Sequence, residues 1–123
     1  MRIIVLSDLH FEFEQDGGEE FVASLEPVGA DVPVLAGDIG VGSSLDSGLD
    51  RLCRRFSRCP VVFVLGNHEF YRVTQEQLLT SIELAQDRNP NLMQVIVSES
   101  RVSSMTSTIL NSASHSISCI GLL

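Results

Sequence analysis

The sequence predicts an α/β fold with a mostly parallel sheet, in the order β-α-β-α-β. Three short and continuously apolar runs rich in β-branched residues support this prediction: residues 3–6, 32–36 and 61–65. Strands that are buried on both faces of a parallel sheet have this uninterrupted apolar character. Helical patterns lie between the runs, as in βαβ units. A chain of 123 residues can bury one hydrophobic core, and this length excludes two independent ones.

The connections between these runs have helical periodicity. A weak pattern of Phe21, Val22 and Leu25 predicts a short first helix. In the next connection the apolar residues are three or four positions apart: Leu45, Leu49, Leu52 and Phe56. This spacing predicts an amphipathic second helix. Ser43, three residues before Asp46, is its predicted N-terminal cap.

A third helix is predicted after the last of the three runs. Thr74 and Gln77 have the spacing of a capping box, which indicates where this helix begins. We expect it to end at Asn89, because Pro90 follows. The mostly apolar run at residues 93–97 then predicts the start of a fourth strand.

The composition changes at Ser98. Residues 98–118 contain nine serines and two threonines, and their apolar residues follow no clear period. We therefore divide the chain into an α/β part, residues 1–97, and a serine-rich tail, residues 98–123. A shifted reading frame or an aberrant gene model would explain the change, and downstream genomic sequence tests that hypothesis.

Charge and cysteine content exclude several classes of function. The chain has 16 acidic and 8 basic residues and a formal net charge of −8, and residues 1–50 hold eleven of the acids against Arg2 alone. This balance argues against a nucleic-acid binder and favours cations as ligands. The three cysteines form no CxxC pair, and no signal peptide or membrane-spanning apolar stretch is found. These features predict a cytoplasmic protein that does not bind a membrane.

A polar cluster follows each of the first three predicted strands: Ser7-Asp8-Leu9-His10, Gly37-Asp38 and Gly66-Asn67-His68-Glu69. The carboxyl ends of parallel strands meet at the edge of the sheet where α/β folds bind ligands, so we expect the clusters to converge. The separations, 30 residues from Asp8 to Asp38 and 29 from Asp38 to Asn67, each match one βαβ repeat. Two carboxylates, two imidazoles and an amide form an oxygen and nitrogen set that suits divalent transition metals.

Each cluster also has a purely structural alternative. These alternatives are a turn cap at Asp8, a surface histidine at His10 and the start of a glycine-rich loop at Asp38. Asn67 would in that case occupy a left-handed turn. One shared site explains why polar clusters follow all three predicted strands. The structural alternatives need a separate reason for each cluster.

The ordered set Asp-x-His, Gly-Asp and Gly-Asn-His-Glu resembles the motifs of the calcineurin-like metallophosphoesterases. The similarity covers residues 1 to about 72. It implies one half of that family's αββα sandwich and two divalent metal ions, of Mn, Fe, Zn or Mg. It also implies hydrolysis of a phosphomonoester or phosphodiester by a metal-bound hydroxide. The expected partner is a phosphorylated small molecule or another phosphoester substrate.

The resemblance assigns a role to each motif residue by its position. Four residues would bind the metals, and the third of them would bridge the two ions: Asp8, His10, Asp38 and Asn67. His68 would be the general acid that protonates the leaving group, because imidazole can donate a proton near neutral pH. Glu69 would lie behind the metals, because a ligating histidine needs an acceptor that fixes its tautomer.

Two further motifs of the family, Gly-His and Gly-His-x-His, do not occur in this chain. After His68 the only histidine is His115, between Ser114 and Ser116. The second ion would keep two protein ligands, too few for tight binding, so one ion is the alternative to the family's pair. We interpret the chain as a truncated phosphoesterase. The alternatives are a catalytically silent single-metal or anion-binding module and a non-functional fragment. Without the family's second sheet, one sheet face would be uncovered, which predicts self-association.

Overall fold

A computed structural model describes residues 1–95, in which strands and helices alternate. The predicted serine-rich tail, His115 and the end of the predicted fourth strand lie outside the described residues. The strands are β1 (Ile3–Leu6), β2 (Val32–Ala36), β3 (Val61–Val64) and β4 (Leu92–Val95). The helices are α1 (Glu19–Ser24), α2 (Ser43–Arg55) and α3 (Gln75–Arg88), with 3-10 turns at Phe11–Phe13 and His68–Phe70.

The four strands form one parallel sheet in the order β1-β2-β3-β4. This arrangement confirms the predicted α/β fold with a parallel sheet. The register aligns Val5, Val34, Val62 and Met93 in one row across the sheet. Crossovers between parallel strands are right-handed, and a sequential strand order then brings every crossover helix to the same face of the sheet.

The two faces of the sheet differ in burial. In β2, Pro33 and Leu35 are buried whereas Val32 and Val34 are half-buried, and β3 alternates in the same way. The buried residues face the helices and form the core. The opposite face contains the row that ends at Met93, whose side chain is 51% exposed. Within residues 1–95 this face is therefore an apolar surface that is only partly covered.

Helix α2 supplies the centre of the core. Its predicted apolar stripe is at most 2% exposed: Leu45, Leu49, Leu52 and Phe56. Burying a leucine or phenylalanine side chain of this size contributes about 1.5–3 kcal/mol. Among the helices of residues 1–95, none is long and apolar enough to cross a membrane.

The two predicted helix starts have different outcomes. The capping box of α3 is confirmed, because Gln77 N donates to Thr74 Oγ1 (3.2 Å) and Thr74 N donates to Gln77 Oε1 (2.9 Å). The predicted cap at Ser43 is wrong. Gly42, with a φ of 51°, takes the capping position, so Ser43 is already the first residue of α2. Among the described residues, no side chain caps the start of this helix.

Cys53 lies in the core on α2 and is 1% exposed. Its burial, with a smaller contribution from the charge of Asp50, raises the pKa of the thiol to about 12. Because the thiolate is the reactive form, we expect iodoacetamide to leave Cys53 unmodified near neutral pH until the protein is unfolded. Cys59 is half-buried and is the internal control, since it should react in the native state. Equal native rates at both cysteines, measured by peptide mass spectrometry, would contradict this prediction.

Candidate metal centre

The segments that follow β1 and β2 are joined by backbone hydrogen bonds beyond the end of the sheet. Asp8 N donates to Gly37 O (3.2 Å), and His10 N donates to Asp38 O (3.1 Å). One residue further, Phe11 N donates to the carbonyl of Ile39 (3.0 Å). These bonds extend the pairing of the two strands and hold Asp8 and His10 beside Asp38.

Asp8, His10 and Asp38 form a group that fits one divalent ion. One ligand atom from each of the three lies within 4.8 Å of the others. Carboxylate oxygens and imidazole nitrogens bind zinc at about 2.0–2.2 Å, so small side-chain movements would bring all three to one centre. Asp8 is exposed, and the other two residues are half-buried. The site is therefore open to a ligand from solvent.

Backbone strain is concentrated at these three residues. Asp8, His10 and Asp38 have φ values of 55°, 48° and 55°. In residues 1–95 the only other non-glycine residue with a positive φ is Arg72. A left-handed conformation costs an ordinary residue roughly 1–2 kcal/mol, and such residues cluster at functional sites. Asn67, for which a left-handed turn was the structural alternative, has a φ of −83°, so that alternative is wrong.

The loops after β2 and β3 touch each other through two glycines. A Cβ atom on Gly37 would lie 2.7 Å from the Cα of Gly66. A Cβ atom on Gly66 would lie 2.7 Å from the backbone nitrogen of Asp38 and would also overlap its Oδ1. Only glycine lets the backbones approach so closely. This contact places the third motif directly against Asp38.

The Glu69 side chain links the loops that follow β2 and β3. Its side chain is fully buried. Oε2 accepts hydrogen bonds from Asp38 N (3.1 Å) and Gly66 N (2.8 Å), and Oε1 accepts one from Ile39 N (2.6 Å). Among residues 1–95 the Glu69 side chain accepts hydrogen bonds from these three backbone amides and none from a histidine, so it supports Asp38 through the main chain and not, as expected, through a ligating histidine.

His68 and Asn67 begin the turn that follows β3. The backbone nitrogen of His68 donates to Asp38 Oδ1 (2.9 Å), and the His68 ring lies edge-on to the ring of His10, with centroids 4.5 Å apart. Asn67 is exposed, and its side chain has no hydrogen-bond partner in the part of the chain that the structure describes. The structure therefore brings His68 to the three candidate ligands, Asp8, His10 and Asp38. The role of Asn67 as a ligand of a second ion stays a prediction.

Glu12 also belongs to the cluster, although the motif analysis did not select it. Its Oε1 lies 2.6 Å from His68 Nε2 and 3.3 Å from His10 Nδ1. Oε2 is buried without a hydrogen-bond partner among residues 1–95. The one signal in the sequence is the position of Glu12 two residues after His10, in Asp-x-His-x-Glu. The positive φ of His10 and the turn over Phe11–Phe13 direct the side chain back toward the site.

A parallel sheet with acidic and histidine side chains gathered at its carboxyl edge defines an α/β protein with a candidate metal centre. The family profile described as calcineurin-like phosphoesterase matches residues 1–117. The chain therefore belongs to the calcineurin-like phosphoesterase family, and the resemblance seen in its motifs is confirmed. Its parallel sheet and three α-helices correspond to half of the fold of such an enzyme. Comparison with curated proteins and with solved structures found no significant match.

Proposed function

We propose that this chain is a metal-dependent phosphoesterase that hydrolyses a phosphomonoester or a phosphodiester. The observation that carries the proposal is the convergence of Asp8, His10 and Asp38, each in a left-handed conformation, with His68 beside them. Family membership supports the same class of reaction. The acidic composition favours dependence on a cation over binding of nucleic acid. The proposed substrate is a small phosphorylated molecule, and the proposed compartment, from the cysteine pattern, is the cytoplasm.

The donor set fits a divalent metal, with Mn, Fe, Zn and Mg as the proposed candidates. Asp8, His10 and Asp38 would hold the first ion, and Asp38 with Asn67 would hold a second. Bound ions of this kind polarise phosphate oxygens and lower the pKa of bound water. In the described residues the second ion has only those two proposed ligands. We therefore propose tight binding of the first ion and weak binding of the second.

The protein's own part in the reaction is to orient the acid and the ligands. Asp38 is held by Glu69 through its backbone nitrogen, and its Oδ1 accepts a hydrogen bond from the backbone of His68. This connection sets the distance between the metal ligands and the imidazole. We propose that His68 gives a proton to the leaving oxygen.

A second candidate is a catalytically silent module that binds one ion. The observation that favours it is the shortage of ligands for the second ion, since the chain lacks the family's Gly-His and Gly-His-x-His motifs. Metal content discriminates between the two candidates. Two ions per chain support the phosphoesterase, and one ion without hydrolysis supports the module. The partly covered sheet face, which includes Met93, supports the further proposal that copies of the chain associate.

The proposed function is tested by hydrolysis of bis-p-nitrophenyl phosphate with added Mn²⁺. We expect Asp38→Asn to lower the rate at least about 100-fold, because even residues behind metal ligands contribute about 10–100-fold. Asparagine keeps the shape of the side chain and tolerates a positive φ, so the variant removes mainly the charge. Asp87→Asn, at an exposed position on α3, is the matched control and should keep full activity. No hydrolysis by the unaltered chain, or equal rates in both variants, would refute the proposal.

A further inference from the structure

The exposed phenylalanine and tyrosine side chains of residues 1–95 lie at the two turns that follow β1 and β3. Phe13, which ends the first of these turns, is 75% exposed. Phe70 ends the second turn and Tyr71 follows it, and they are 42% and 53% exposed. The other phenylalanines in this part of the chain are buried or half-buried. Isolated exposed apolar residues are ordinary, but aromatic rings grouped at a ligand-binding edge indicate a contact surface.

Two of these rings contact the imidazole of His68. The centroid of the Tyr71 ring lies 4.5 Å from that of His68, and the centroid of the Phe13 ring lies 6.2 Å from it. Phe13 is also 5.9 Å from the ring of His10. Interacting aromatic pairs have centroids about 4.5–7 Å apart. Phe13 and Tyr71 therefore stand beside the histidine that is the proposed proton donor for the leaving group.

The backbone holds both rings in place, although solvent reaches them. Phe13 N donates to His10 O (2.9 Å), and Tyr71 N donates to His68 O (3.0 Å). Each aromatic residue thus lies three positions after a histidine of the site and is bonded to it. A surface that is ordered before binding loses little conformational entropy when a ligand arrives. The entropic cost of binding an aromatic group here is therefore low.

Acidic side chains surround Phe13. Within residues 1–95, three acids line a hollow together with its ring and no basic residue does so: Glu14, Asp16 and Glu20. Because like charges repel, this surface disfavours a leaving group that carries a carboxylate or further phosphates. An uncharged ring binds here by stacking and apolar contact.

We propose that Phe13 and Tyr71 bind the leaving group of the substrate, and that this group contains an uncharged planar aromatic ring. The inference rests on the proposed phosphoesterase function and names its class of substrate. In that reaction the leaving oxygen lies next to His68, which protonates it. A ring joined to this oxygen by a short linker then lies against the two side chains that contact His68. Phe13 and Tyr71 thus select the substrate and take no part in the proton transfer.

The first test uses the metal-free protein and needs no activity. Tyr71 is the only tyrosine of the chain, which has no tryptophan, so its ring resonances are readily assigned in proton NMR spectra. We expect benzyl alcohol to shift them, because a ring stacked on Tyr71 adds its ring current. Cyclohexylmethanol is similar in size and has no aromatic face, so it should shift them at most about a third as much. Resonances that respond equally to both alcohols, or to neither, would overturn the proposal.

The second test measures the binding of phosphonates by isothermal titration with Mn²⁺ present. A methylene group replaces the leaving oxygen in these compounds, so binding is measured without turnover. We expect benzylphosphonate to bind about 10-fold more tightly than cyclohexylmethylphosphonate, because only the first can stack. 4-Carboxybenzylphosphonate should bind at least about 3-fold more weakly than benzylphosphonate, because its carboxylate meets the acids around Phe13.

Leucine variants test the two residues separately. Phe13→Leu and Tyr71→Leu keep an apolar side chain at an exposed position and remove the aromatic face. Each should reduce the preference for benzylphosphonate over its cyclohexyl analogue to less than about 3-fold, with the affinity for methylphosphonate unchanged. Phe70→Leu is the matched control and should keep the preference, since among residues 1–95 its ring contacts no histidine ring. A preference that survives in both Phe13→Leu and Tyr71→Leu would contradict the proposed subsite.

The outcomes separate this inference from the proposed function. If methylphosphonate and benzylphosphonate bind equally, the aromatic subsite is wrong and the proposed function is unaffected. If no phosphonate binds, the proposed function fails. The response of Tyr71 to benzyl alcohol then still decides whether this surface binds an aromatic group.

Discussion

Replacing Glu69 with glutamine is expected to lower the free energy of unfolding by about 1–3 kcal/mol. The carboxylate accepts hydrogen bonds from the backbone nitrogens of Asp38, Ile39 and Gly66, and its side chain is fully buried. Glutamine has one acceptor oxygen, so its NH₂ group must face at least one of these donors. A buried donor without a partner costs about 1–3 kcal/mol. This loss is large against a typical total stability of about 5–15 kcal/mol.

Urea unfolding of the two proteins measures this effect. The matched control is Glu83→Gln, which makes the same chemical change at an exposed position on α3 and should stay within about 0.5 kcal/mol of the unaltered chain. We also expect Glu69→Gln to bind Mn²⁺ more weakly where it remains folded, because the loop that carries Asp38 loses its support. A change in stability no larger than that of the control would show that the three amides find other acceptors.

Gly66→Ala is expected to weaken Mn²⁺ binding at least about 10-fold. Changes to residues that hold metal ligands in place have effects of about 10–100-fold on metal affinity. The new methyl group would stand 2.7 Å from the backbone nitrogen of Asp38 and would overlap its Oδ1. That oxygen accepts the hydrogen bond from His68 N, so the ligand cannot move without losing this contact. The backbone of Gly66 itself has no positive φ, so the clash is the cause. Overpacking of this kind also destabilises a protein by about 1–3 kcal/mol.

Isothermal titration with Mn²⁺ measures the affinity, and Gly42→Ala is the control. Gly42 has a φ of 51°, and a Cβ atom added there would meet nothing within 4 Å among the described residues, so alanine adds backbone strain without a clash. We expect this control to lose stability and to keep its Mn²⁺ affinity. An unchanged affinity in Gly66→Ala would mean that Asp38 is not held against Gly66 in solution, and the proposed geometry of the ligands would be wrong.

Local patterns were sufficient to predict most elements of the fold. The three apolar runs formed strands of a parallel sheet as predicted. Burial on both faces, which continuous apolar runs indicate, is seen only in part, because β2 and β3 alternate between buried and half-buried residues. The capping box at Thr74 and Gln77 formed as predicted because both of its hydrogen bonds join residues three positions apart. The same reasoning failed at Ser43, where the positive φ of Gly42 moved the start of α2. The spacing of Ser43 and Asp46 gives no information about the backbone conformation of the loop that precedes the helix.

The meeting of the three motifs at one sheet edge follows from the order of elements along the chain. Parallel strands joined by right-handed crossovers place every strand end on one side, so the motifs at Asp8, Asp38 and His68 had to converge. How these residues are held there could be learned only from the folded molecule. The pairing of Glu12 with His68 joins residues 56 positions apart, and Glu69 reaches backbone amides of a different loop. Such contacts depend on the left-handed turns at the strand ends and on the close approach of the two glycine loops, because these set the distances between segments that are remote in the chain.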